Sequence, residues 1–137
     1  MTRAYVDANV ILRFLTGDPP DMAAQARALF EAVERGEVTL LVDEIVIAEA
    51  VWVLHSFYRH SAAEIGRVMQ ELLSREGLQA KDKPSLLAAL SLFAEKNVDF
   101  ADALVAVHMG REGIGEIFSF DQHFDYLPGI TRRSLSQ

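Results

Sequence analysis

Five acidic residues stand where the chain has little structural use for charge. Asp7 follows Tyr5-Val6 and Asp121 follows Phe118-Ser119-Phe120, each at the point where a short apolar run leaves off. Glu49 is the one charge within Ile45-Val46-Ile47-Ala48-Glu49-Ala50-Val51-Trp52-Val53-Leu54, and Asp99 and Asp102 open the apolar stretch Phe100 to Ala106. Three-residue spacing puts Asp99 and Asp102 on one face of a helix. An unpaired buried carboxylate costs several kcal/mol, so Glu49 in that setting calls for a partner. Acids supplied by four distant segments repel one another unless cations hold them together. Hard oxygen donors, the absence of cysteine and the lack of a histidine pair at ligand spacing suit Mg²⁺ or Mn²⁺, which bind few carboxylates plus water and substrate phosphate. Ions held in this way activate water and clamp a phosphodiester.

Each acid also has an ordinary structural use. Asp7 and Asp99 would serve as helix N-caps, and Asp102 would sit well at the positive end of a helix dipole. Glu49 would need no cation if its helix turned it toward solvent or an arginine. Asp125 lies close enough to Asp121 in Asp121-Gln122-His123-Phe124-Asp125 to compete for its role. None of His55, His60, His108 and His123 falls in a zinc motif, and His123 is the best placed to join the acids. Trp52, Phe57 and Tyr58 read as core or subunit interface.

The elements that must position these side chains alternate between β-like runs and longer helical ones. The spacing predicts a strand over Arg3 to Val6, a short helix from Asn9 to Leu15, and a helix capped by Asp21 that stops at Gly36. A second strand, Val38 to Val42, precedes a helix from Glu44 to Tyr58 capped by Asp43; being apolar on nearly every side, that helix is expected deep in the domain. Ser61-Ala62-Ala63-Glu64 has the form of a capping box and opens a helix ending near Gly77. Leu78 to Lys81 is a third strand, and Pro84 suits the first turn of a helix to Lys96. Phe100 to Gly110 is a helix, Glu116 to Phe120 a fourth strand, and Ile130 to Arg132 a fifth. Strands separated by helices imply an α/β fold with a parallel sheet, whose functional crevice lies at the carboxyl ends of the strands.

The 137 residues fit one domain, 1–137. Half are apolar and 24% are charged, a globular balance with no need for a linker. The first residues lack the apolar centre of a signal peptide, and no apolar run approaches the roughly 20 residues of a membrane span, so the expected location is the cytoplasm. The net charge of −7 argues against a binder driven by general electrostatics, unless divalent ions invert the field around the clustered acids.

At these residues the chain resembles the PIN-domain ribonucleases, and in particular the VapC toxins of prokaryotic toxin–antitoxin pairs. Val6-Asp7-Ala8-Asn9-Val10-Ile11-Leu12, Glu49 with Val51-Trp52-Val53-Leu54, Asp99-Phe100-Ala101-Asp102-Ala103-Leu104 and Phe118-Ser119-Phe120-Asp121 carry the resemblance, which spans almost the whole chain. It implies a sheet of about five parallel strands flanked by helices, with Asp7, Glu49, Asp102 and Asp121 as the acidic site. Asn9 and Ser119 match positions that orient those carboxylates, and Asp99 one that is often a further acid. The implied reaction is in-line attack on phosphorus by water activated by the metal, with Asp7 and Asp102 the main ligands. Arg13, Arg132 and Arg133 are candidates for contacts to RNA phosphates. The resemblance further implies a homodimer and a VapB-like antitoxin.

Two other readings are weaker on the same residues. Asp7-Ala8-Asn9 also resembles the first motif of haloacid dehalogenase phosphatases, but the second acid of that motif is Asn9 here, and no convincing later Ser/Thr and Lys pair follows. A catalytically silent PIN-like scaffold would have little reason to retain every matching acid.

Overall fold

The structure, a computed structural model, describes residues 1–136. β1 (Thr2–Tyr5) runs into α1 (Ala8–Thr16), followed by α2 (Pro20–Glu34), β2 (Val38–Leu41), α3 (Glu44–Ser56), α4 (Ala62–Leu73), β3 (Leu78–Gln79), α5 (Lys83–Lys96), α6 (Phe100–Glu112), β4 (Glu116–Phe118), a 3₁₀ helix (Gln122–Tyr126) and β5 (Thr131–Arg133). The order is the one expected from sequence, with the 3₁₀ helix added.

Side-chain oxygens start several of these helices. Asp7 accepts the Val10 N–H at 3.2 Å, Asp43 that of Ile45 at 3.2 Å, and Ser61 that of Glu64 at 3.1 Å. The reciprocal half of the expected capping box is not made, because the Glu64 carboxylate turns to His60 Nδ1 at 3.1 Å. Asp82 caps α5 with both oxygens, one on the Ser85 N–H and one on its hydroxyl at 2.6 Å, which satisfies a serine with no exposed surface. Asp21 is not the cap of α2. Pro19 occupies that position and Pro20 opens the helix, where a fixed φ and a missing N–H cost nothing, leaving Asp21 in the first turn.

All strand pairs are parallel, as connections through helices require. The expected five strands form two hydrogen-bonded groups, β1-β2-β3 and β4-β5. β1 is an outer strand with all four residues exposed, whereas Leu40 in β2 and Leu78 in β3 are buried. The core gathers Ile11 of α1, Phe30 of α2, Ile47 of α3, Ile65 and Met69 of α4, and Leu86 and Leu90 of α5, all nearly or completely removed from water. Burying each such side chain contributes about 1.5–3 kcal/mol. Gly77 lets the chain into β3 pass against α2, since a Cβ there would lie 2.3 Å from Val33 Cγ1.

Two expectations about α3 fail together. Ile47, Ala50, Val51 and Leu54 face inward, but Ile45, Glu49 and Trp52, related by steps of four and three, share an outward face. Glu49 is therefore exposed, and its carboxylate needs no cation to be stable there. Ile45, Trp52 and Phe57 are 71, 66 and 75% exposed, so this helix is half-covered and not deep. Among the described residues, no helix is long and apolar enough to cross a membrane.

Candidate active site

The acids that meet come from the start of α6 and the exit of β4. Asp99 occupies the N-cap position of α6 but makes no capping hydrogen bond with its side chain, which leaves its carboxylate uncommitted. Asp102, one turn into the helix, is half-buried. After β4, the Ser119 hydroxyl accepts the Asp121 N–H at 2.9 Å and so fixes the backbone from which Asp121 projects. Asp121 Oδ1 in turn accepts the backbone N–H of His123 at 2.9 Å and lies 2.7 Å from His123 Nδ1.

Asp102 and Asp121 act on each other's carboxyl and are shifted in opposite directions. Burial, then the hydrogen bond and charge of Asp121, then the charge of Asp99 push the Asp102 carboxyl above the usual range, and His123 only partly offsets them. The His123 backbone N–H, aided by the imidazole and by Asp102, holds Asp121 low against a smaller desolvation effect. Of the two, Asp102 is the one that holds a proton more tightly, the ordinary outcome when two carboxyls face each other with no cation between them. Asp125 stands outside this pair. Both of its oxygens are bound by Arg132, at 3.1 and 3.2 Å.

The remaining predicted residues make no hydrogen bond to this pair. Asp7 is exposed and lines a groove of about 430 Å³ between α1 and α2, together with Asn9, Arg13, Met22, Gln25 and Leu29. Neither Asp7 nor Glu49 shares a hydrogen bond or ion pair with the Asp102–Asp121 pair, and Asn9 donates to none of the acids. A larger crevice of about 570 Å³ opens where β1, β2 and β3 end, as a parallel sheet leads one to expect. Its acids are committed, however: Asp43 and Asp82 cap helices, Asp82 also faces Arg111 at 3.8 Å, and Glu44 lies 3.6 Å from His108.

Chemically the Asp102–Asp121 pair suits a hard divalent ion, which would relieve the repulsion between two half-buried carboxylates. Among the described residues, no group of three or more acidic or imidazole side chains comes close enough to hold one ion. The pair is therefore the nucleus of a site and not a finished cage. His123 is the contact that sequence reasoning underweighted; its only signal was position, two residues after Asp121.

The sequence profile of the PIN domain matches residues 4–130. The chain belongs to the PIN-domain family. It is 30% identical over 122 residues, 89% of this chain and 90% of the relative, to a VapC ribonuclease of Aquifex aeolicus (strain VF5). A looser likeness, at 16% identity and a TM-score of 0.38 over 99% of this chain and 100% of the other, is to a chain in the crystal structure of VapBC2 from Rickettsia felis bound to a DNA fragment from their promoter. In this PIN domain, Asp7 through Leu127 fall inside the matched span, so every acid discussed above belongs to the part of the chain that carries the family likeness.

Proposed function

We propose that this PIN domain is a VapC-type endoribonuclease that hydrolyses RNA phosphodiester bonds with Mg²⁺ or Mn²⁺. The observation that carries the reading is the Asp102–Asp121 pair: two carboxyls that push each other's titration apart, in a chain related over nine-tenths of its length to a ribonuclease. Asp7 and Asp102 are the main ligands in this reading, with Asp121 and Asp99 completing the acidic cluster and Glu49 either a ligand or the group that orients water. The cation, when bound, supplies an activated water and a clamp on the phosphate, and the expected products carry a 5′-phosphate and a 3′-hydroxyl. Ser119 sets the direction of Asp121 through its backbone N–H, and His123 holds that carboxylate ionised.

The partners in this reading are a VapB-like antitoxin and a second copy of the chain, in the cytoplasm. The outward face of α3 supports an interface, because Ile45, Trp52 and Phe57 expose apolar surface of the kind that associations cover. The decisive experiment incubates purified, partner-free protein with mixed RNA, with and without Mn²⁺ or Mg²⁺, beside Asp7→Asn and Asp102→Asn. Cleavage by the parent alone, and only with metal, is the expected result. Equal cleavage by all three proteins would mean a contaminant or a different site.

A further inference from the structure

We infer that the groove between α1 and α2 carries the RNA strand past Asp7, with Arg13 holding one of its phosphates. The inference rests on the ribonuclease reading and adds a substrate-positioning residue to it. Three cations were open to this role on sequence alone. Two of them are committed: Arg132 is forked onto Asp125, with a further contact to the Ser119 carbonyl, and Arg133 reaches Glu116 at 3.2 Å while stacking over Phe118. Arg13 has no acidic partner, and its Nε is the one buried side-chain polar atom without a hydrogen bond among the described residues.

An Nε closed to solvent is out of reach of a phosphate, so it shows that no neighbour has claimed this guanidinium, and the phosphate contact falls to the terminal nitrogens. The guanidinium is a planar fork suited to phosphate, and it lines the same groove as Asp7. Asn9 and Arg13 are four apart and lie on one face of α1, so a strand following that face meets an amide and then the cation about two turns beyond Asp7. The opposite wall repeats at helical spacing along α2, with Met22, Gln25 and Leu29 presenting apolar surface and one exposed amide. Apolar and amide groups of this kind suit unstacked bases, which single-stranded RNA offers and a duplex does not. In a chain with a net charge of −7, phosphate recognition must be local, and one uncommitted arginine beside a ligand acid provides it. An acidic peptide would also satisfy Arg13, and the amide and apolar wall of the groove, suited to bases, favours RNA over it.

The test uses the full chain and short single-stranded RNA. Cleavage by the parent and by Arg13→Gln is followed in Mn²⁺, and RNA binding is measured by fluorescence anisotropy across a range of NaCl concentrations on the Asp102→Asn background, which does not cut. Arg13→Gln is expected to raise KM and Kd about tenfold for RNAs of different sequence, to leave kcat within about twofold, and to lower the slope of log Kd against log salt by about 0.7, the value for one phosphate on a single strand. Arg13→Lys should keep the slope and recover part of the affinity. Gln25→Glu, an exposed change that leaves packing intact, should weaken RNA binding through charge in the groove even if Arg13→Gln folds poorly. Unchanged Kd and slope in Arg13→Gln and Gln25→Glu would overturn the inference, as would loss of affinity confined to an acidic peptide. A parent that binds RNA with these slopes yet never cuts it would instead overturn the ribonuclease reading and leave the groove assignment standing.

Discussion

The two acid-bearing regions of this PIN domain differ in how their carboxylates are satisfied. At the start of α1, Asp7 is exposed and caps its own helix, and on α3 Glu49 faces water; each is stable as it stands. At the start of α6, Asp102 is half-buried beside Asp121 with Asp99 adding charge, and the arrangement favours a proton or a cation there. The first region can therefore accept a metal without demanding one, while the second pays for its geometry until a charge arrives. If one cation serves both, the second region supplies the driving force and the first completes the coordination.

The largest expected effect tests whether the regions act together. Asp102→Asn and Asp7→Asn should each lower Mn²⁺-dependent RNA cleavage by about a hundredfold or more, measured as initial rates at saturating metal. Full activity in Asp7→Asn with loss in Asp102→Asn would separate the regions and leave the α6 end as the whole site. Next in size is the thermal shift on adding Mn²⁺. A ligand bound only to the native state at a hundred times its Kd stabilises by about 2.7 kcal/mol, several degrees in Tm for a chain of this size. Asp102→Asn should lose most of that shift, and Glu49→Gln should keep more of it, since Glu49 is exposed and its carboxylate is not under the repulsion that acts on Asp102.

A smaller effect concerns the metal-free protein. The folded state raises the Asp102 carboxyl, so it binds more protons than the unfolded chain in the window above the ordinary aspartate value, and stability falls as pH rises through that window. Asp102→Asn should therefore raise Tm at pH 7 in EDTA, and the gain should vanish below about pH 4, where the native carboxyl is already protonated. Melting curves at the two pH values decide it. An Asp102→Asn protein less stable than the parent at pH 7 would mean that the pair is not under repulsion. The smallest effect contrasts two caps: Asp82→Ala should cost about 1–2 kcal/mol in urea unfolding, because both oxygens of Asp82 are in use, whereas Asp99→Ala should change stability by under about 0.5 kcal/mol.

Much of the fold was legible because local chemistry set it. Apolar periodicity placed the helices and strands, and Asp7, Asp43 and Ser61 marked helix starts that the structure keeps. The misreadings came where tertiary contacts override local pattern. Glu49 looked buried because its neighbours in sequence are apolar, but a helix has faces, and the face shared with Ile45 and Trp52 is turned to solvent. β4 was expected to run to Phe120; it stops at Phe118 because the Ser119 hydroxyl takes the Asp121 N–H that a longer strand would use.

By itself the sequence determined which acids the chain offers, the parallel α/β order of its elements and its membership of the PIN family, since those follow from residue type, spacing and short-range capping. Only the tertiary structure decided which acids touch. The choice of Asp121 over Asp125 at Asp102 depends on Arg132 reaching seven residues back to hold Asp125, and the freedom of Arg13 depends on no acid packing against it. Both are matters of where long side chains end in space, which spacing along the chain does not encode.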